Sequence, residues 1–266
     1  MLHTARVAGV ANKLAPVQTR RSVGTALVRG RFGPGIRWWM HPNGSPVATG
    51  TAVPAVQDYS DNNLSITQAT VSKRPLKGAV RNVPSFTFDG VNDSMSTGTT
   101  NLTAFQALTI VTTEYRANTT GAIEVELTTD ANAFATGCST VGSDGSLENW
   151  QASFRGNVGY QIKVVTAAAA PQQTWGSWVA VMNKANPAAT ELLIYKSGVQ
   201  VTSFSAVTTS NNTTAFANAA WFIAARNNAL AFFNGSLAQI IVITGGLSDS
   251  EAFYLSLYAA QSAGIV

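Results

Sequence analysis

Between Arg81 and Thr97 the chain reads RNVPSFTFDGVNDSMST: an apolar run with Phe86 and Phe88 on one face, a turn of Asp, Gly and Asn, and a second run. A period of two bounded by turn residues predicts two strands joined by a turn. The pattern recurs down the chain, at 107–115, 122–128, 150–154, 159–165, 178–182, 191–196, 199–204, 220–225 and 237–243, with polar, Gly-rich breaks between. The alternation is cleanest at 122–128, with Ile123, Val125 and Leu127 to one face and Glu124 and Glu126 to the other. Ser197-Gly198 between two of the runs is a hairpin-type turn. Short strands with no helical period between them predict an all-β fold, an antiparallel β-sandwich.

The two ends depart from this pattern. Ser248-Asp249-Ser250-Glu251 is a capping box and predicts a short C-terminal helix over about 249–261, with Phe253, Leu257 and Ala260 on one face and Leu255 and Tyr258 flanking it. Residues 1–35 hold no sustained period. A short helix fits 4–14, and Pro16, Gly24, Gly30, Gly33, Pro34 and Gly35 divide the rest into extended pieces. The expected organisation is an extended N-terminal arm, 1–35, ordered against a partner, followed by one sandwich domain, 36–266.

Charge sharpens that division. The net +4 is the sum of +7 over residues 1–57, where Arg6, Lys13, Arg20, Arg21, Arg29, Arg31 and Arg37 meet no acid, and −3 over the remainder. The arm is therefore the basic part, with Arg20, Arg21, Arg29 and Arg31 as its candidate docking cations. No aromatic residue precedes Phe32 to stack bases, which argues against a nucleic-acid tail. Hydrophobic residues at 45% and charged residues at 11% suffice for a core and exclude a disordered chain. The lone Cys138 excludes an intrachain disulfide framework and a Cys-based zinc site, and is expected as a small buried residue. No apolar run has the length of a membrane span, and the N-terminus lacks a compact secretory apolar segment.

Phe86-Thr-Phe88-Asp89-Gly90-Val-Asn92-Asp93 resembles the FDG-x-ND signature of concanavalin A-like (laminin-G-like) lectin/glucanase domains. The lead-in, with Asp58, Ser60, Asn63, Gln68, Arg74 and Pro75, is similar to that before many such domains of bacterial and phage origin, although Gln57 stands where Trp is usual and Asp61 where Gly is usual. Trp178-Val-Ala-Val with Leu193-Ile-Tyr195-Lys-Ser-Gly198, Ile223-Ala-Ala-Arg226 with Phe233-Asn-Gly235, and Leu247-Ser248-Asp249-Ser-Glu251 resemble the family's later segments. The resemblance implies a concanavalin A-like jelly roll over about 36–264. It also implies a phage virion context: a non-enzymatic decoration or accessory protein, assembled in the host cytoplasm and displayed on the virion surface. Its partners would be the major capsid or tail protein and further copies of itself. The alternative is a carbohydrate-binding module for host or environmental glycans, and a glycoside hydrolase is a third reading.

Each reading names residues. Aromatic platforms for a sugar are Trp150, with Asn149 and Gln151 beside it, Trp175 and Tyr160, while Trp178 is expected in the core. Hydrolysis needs two carboxylates near one sugar, and Glu124 and Glu126 are spaced for one strand face, although Asp130 falls off the usual string and a solvated strand face is the favoured reading of the pair. Asp89, Asn92 and Asp93 offer oxygens for calcium, although acceptors for their own turn are the favoured reading. No other cofactor is implied. His3 and His41 lie in or beside the arm, which leaves serine or cysteine hydrolase chemistry without a base.

Overall fold

A computed structural model describes residues 17–117, 122–129, 135–143, 149–166 and 171–265, with the backbone alone for 17–24. The expected helix at 4–14, His3 and Asp130 lie outside the described residues. Two helices, α1 (Val17–Phe32) and α2 (Asp249–Ser262), flank the strands. These are β1 (Ile36–Met40), β2 (Ala55–Gln57), β3 (Ser65–Thr67), β4 (Leu76–Val80), β5 (Val83–Asp89) and β6 (Met95–Asn101). β7 (Ala107–Arg116), β8 (Ile123–Thr128), β9 (Ser139–Ser143), β10 (Trp150–Arg155), β11 (Tyr160–Val165) and β12 (Trp175–Asn183) follow. The last are β13 (Leu192–Lys196), β14 (Val199–Gln200), β15 (Phe204–Thr208), β16 (Asn218–Ile223) and β17 (Asn234–Thr244).

They form the predicted sandwich of two antiparallel sheets. The first runs β14-β13-β12-β7-β17-β5-β4, with β1 also on β17; the second runs β15-β11-β10-β9-β8-β16-β6-β3-β2. Phe86, Phe88, Leu108, Ile110, Val125, Leu127, Trp178 and Val242 fill the space between. Two indole pairs join the sheets across it. Trp38 of β1 meets Trp221 of β16 edge-on at 5.6 Å, and Trp150 of β10 stacks on Trp178 of β12 at 4.7 Å and 9°.

The first sheet is buried on both faces, and β17 shows why it reads as a nearly unbroken apolar run. Ile240 and Val242 enter the inter-sheet core, whereas Ile241 and Ile243 enter a second core beneath the helices. α2 begins at the predicted capping box: Ser248 Oγ accepts from Glu251 N–H at 3.4 Å, and Glu251 Oε2 accepts from Ser248 N–H at 2.9 Å. Its packed face is turned from the expected one: Leu255, Tyr258 and Ala260 are buried as expected, but Phe253 is not. Ala252, Leu255 and Ala259 lie against the sheet, while Phe253 is 48% exposed. Small residues let the helix approach closely enough for the Gly198 N–H to reach Ser256 Oγ.

Residues 17–32 are a helix and not extended pieces. Gly24 and Gly30 inside it each cost about 1 kcal/mol against Ala, and tertiary contacts outweigh that. Val28 and Phe32 are buried in the second core with Trp39, Ile243 and Tyr258. Thr25 Oγ1 lies 3.2 Å from the Tyr258 hydroxyl, and Arg31 pairs with Glu251 at 3.0 Å. This half of the arm therefore docks on its own domain. Strand assignments also shift: 199–204 divides into β14 and a β15 that runs on to Thr208, and β1 to β4 and β9 appear where the alternation predicted nothing. No helix among the described residues is long and apolar enough to cross a membrane.

Candidate functional site

The three candidate sugar platforms meet different fates. Trp150 is 1% exposed and sealed against Trp178 between the sheets, so it presents no face to a ligand. The inward register of β10, in which Trp150, Ala152 and Phe154 all join the core, overrides its position at a strand end. Trp178 is core, as expected. Tyr160 opens β11 and is 38% exposed; the Arg155 guanidinium lies over its ring at 4.9 Å and donates to its hydroxyl at 3.2 Å. Trp175 opens β12 and is half-buried at the rim of an open depression of about 440 Å³.

That depression is built by a hairpin and a ring pair. Val80 pairs with Val83 across a two-residue turn in which Arg81 (φ 50) and Asn82 (φ 65) are both left-handed, the signature of a type I′ turn. The turn's Val80 carbonyl accepts from Trp175 Nε1 at 3.0 Å, which fixes the indole. Trp175 is the register partner of Tyr115 on β7, and their rings meet at 5.7 Å. The Arg81 guanidinium lies 5.6 Å above the Tyr115 ring. Ala263, Gly264 and Ile265, just beyond α2, close the far wall. An aromatic surface, a guanidinium and an amide thus share one concavity. Arg81, Asn82 and Tyr115 were missed by sequence reading, although Val80-Arg-Asn-Val83 between two apolar runs was the available hairpin signal.

Glu124 and Glu126 are neither solvated nor paired on one face. Both are fully buried. A bulge in β8 against β9, where Ile123 pairs with Gly142 but Val125 with Val141, leaves Glu124 as the extra residue. Only glycine fits at 142, because a Cβ there would lie 2.3 Å from the Ala122 carbonyl oxygen. The bulge turns Glu124 inward, beside Glu114 and Arg116 of β7. Glu114 accepts from Trp178 Nε1 at 2.9 Å and lies 3.2 Å from Arg116 Nε. Burial, then the charge of Glu114, pushes Glu124 well above the usual carboxylate range. Glu126, in contrast, meets Arg226 Nε at 2.9 Å, and burial lifts it from 4.5 to about 7 against that cation. The two carboxyls lie in separate buried surroundings, Glu126 in an ion pair with Arg226 and Glu124 beside Glu114.

Asp89, Asn92 and Asp93 come together as a turn. Asp89 Oδ1 accepts from the N–H groups of Val91, Asn92 and Asp93 at 2.8, 3.0 and 3.1 Å, and Asp93 Oδ2 accepts from the Asp89 N–H at 3.1 Å. Burial opposes ionisation of Asp89, but those N–H bonds outweigh it and lower its pKa; burial and the charge of Asp89 raise Asp93 to about 6. Asp89 Oδ1 and Asp93 Oδ2 are thus engaged by the backbone. Among the described residues no three His, Cys, Asp or Glu side chains gather as a metal site. Of the four docking cations, Arg29 meets Asp61 at 3.4 Å and Arg31 meets Glu251, both within the chain. The side chains of Arg20 and Arg21 lie outside the described residues.

Two antiparallel sheets packed face to face, with small helices on one side, define an antiparallel β-sandwich. Neither a family model nor a curated protein matches the sequence. Solved structures do match in fold. The botulinum neurotoxin serotype D binding domain, solved with N-acetylneuraminic acid, superposes with a TM-score of 0.62 at 10% identity, over 90% of this chain and 53% of that one. Domain 4 of AbnA, an extracellular arabinanase of Geobacillus stearothermophilus solved with arabinotriose, gives 0.56 at 13% identity over 84% and 98%. The binding domain of Paraclostridial Mosquitocidal Protein 1 gives 0.56 at 14% identity over 84% and 52%. The chain spans about half the length of the two toxin domains. At these identities the likeness is one of fold, and it carries nothing on a virion context.

Proposed function

We propose that this chain is a non-catalytic glycan-binding module and that the Trp175 depression is where it holds a sugar. The observation that carries this reading is Trp175, braced by the Tyr115 ring, beside Arg81 and Asn82 in one open concavity. A pyranose ring has an apolar face that stacks on an aromatic surface and hydroxyls that an amide and a guanidinium can bond. The fold supports it, since similar sandwiches were solved with N-acetylneuraminic acid and with arabinotriose. Binding without hydrolysis fits the separation of Glu124, buried beside Glu114, from Glu126, buried against Arg226. Particle attachment through the arm finds Arg29 and Arg31 already engaged within the chain.

The test is a glycan array followed by calorimetry with the wild type and Trp175→Ala. Removing a central Trp typically costs about 2 kcal/mol or more, so affinity should fall about 30-fold. Tyr160→Ala should bind as the wild type does. Unchanged binding by Trp175→Ala sinks the assigned site, release of sugar from a polysaccharide panel sinks the non-catalytic reading, and binding to no glycan sinks the function.

A further inference from the structure

Arg81 occupies a position at which a two-residue hairpin prefers another residue. In a type I′ turn both central positions are left-handed, and Asn followed by Gly fills them at least cost. Here Arg81 sits at φ 50 and Asn82 at φ 65, so the turn carries a long cation where a left-handed backbone penalises a Cβ. Local turn chemistry does not explain this choice. The surroundings of the side chain offer a reason.

Among the described residues Arg81 has no ion-pair partner; its recorded contact is the ring of Tyr115, 5.6 Å below the guanidinium. An aromatic face steadies the planar fork while leaving its N–H edges to a ligand. Among the described residues the wall of the depression is otherwise uncharged: Asn82, Val83, Trp175, Ala263, Gly264 and Ile265. The Trp175 N–H is committed to Val80, so the indole contributes its ring and not a donor. The concavity therefore pairs an apolar ring face with one uncompensated, forked cation. A carboxylate matches that fork with two parallel hydrogen bonds.

Resting on the glycan-binding reading above, we infer that the depression selects acidic sugars, glycans bearing a sialate or uronate carboxylate, with Arg81 taking the carboxylate and Trp175 the ring. The experiment is calorimetry on the full chain with matched probes, sialyllactose against lactose and trigalacturonate against galactotriose. The variants are Arg81→Asn, which installs the residue the turn favours, and Arg81→Lys, which keeps the charge and loses the fork. The acidic member of at least one pair should bind about tenfold or more tightly than its neutral partner, and added salt should weaken only the acidic one. Arg81→Asn should erase that preference while its melting temperature holds or rises, which separates recognition from folding; Arg81→Lys should retain only part of it. Equal binding of acidic and neutral members, or an Arg81→Asn variant that keeps the preference, overturns acid selection and leaves the glycan site standing. Binding of none of the four probes, with none on the glycan array, overturns both.

Discussion

Glu126→Gln should flatten the dependence of stability on pH. In the fold the Glu126 carboxyl is fully buried and meets Arg226, itself about one-third exposed, at 2.9 Å. Burial raises it from 4.5 to about 7. An acid that is harder to ionise in the fold than in the unfolded chain favours folding while it is protonated. Its contribution is therefore whole below about pH 4.5 and is lost as pH rises to about 7, beyond which nothing more is lost. At about 1.4 kcal/mol per pH unit, that loss amounts to about 3 kcal/mol. Glutamine fills the same volume, still accepts from Arg226 and carries no titrating proton. The partial exposure of Arg226 limits the ion pair given up at high pH to about 1 kcal/mol. Between pH 4 and pH 8 the stability of Glu126→Gln relative to wild type should therefore climb by about 3 kcal/mol, or roughly 6–12 °C in melting temperature for a chain of this size. Asp93 and the Glu114–Glu124 pair, also raised, bend both profiles alike and cancel in the difference. Thermal melts followed by circular dichroism across that range measure it. Parallel profiles for the two proteins would refute the assignment of a buried, proton-holding Glu126.

Asp89→Ala removes the acceptor of three backbone N–H groups and should cost about 2–3 kcal/mol, read as a lower urea midpoint, with Asp89→Asn costing less. Added calcium should restore neither variant. Phe32→Ala opens a cavity between α1 and the first sheet and should cost about 3 kcal/mol in the same assay, whereas an arm without a role in the domain would show no change.

The strands and the capping box were legible because each rests on local chemistry: alternation at 122–128, turn residues at 89–93, and Ser248 three residues before Glu251. The helix at 17–32 was not, because what holds it is the distant surface formed by Trp39, Ile243 and Tyr258. The face of α2 was misread for a related reason. Hydrophobicity favoured Phe253, but the distance of closest approach to the sheet selected Ala252 and Ala259. At the site, Trp175 was visible as an aromatic beside a strand break, and Tyr115 and Arg81 were invisible because register across β7 and β12 and a turn 94 residues away bring them together. The bulge that parts Glu124 from Glu126 leaves only a faint trace, a glycine at 142 on the opposite strand.

The indoles that bridge the sheets give the protein an optical signature of its own closure. Trp150 and Trp178 lie parallel at 4.7 Å, and Trp38 and Trp221 cross at 5.6 Å, each pair with one member on either sheet. At such separations the excited states of two indoles couple and split, and the splitting falls steeply with distance. A spectrum of that coupling reports whether the sheets are in register against each other, independently of whether either sheet retains its strands. Following it beside backbone dichroism during unfolding distinguishes a sandwich that parts along its seam from one that dissolves strand by strand.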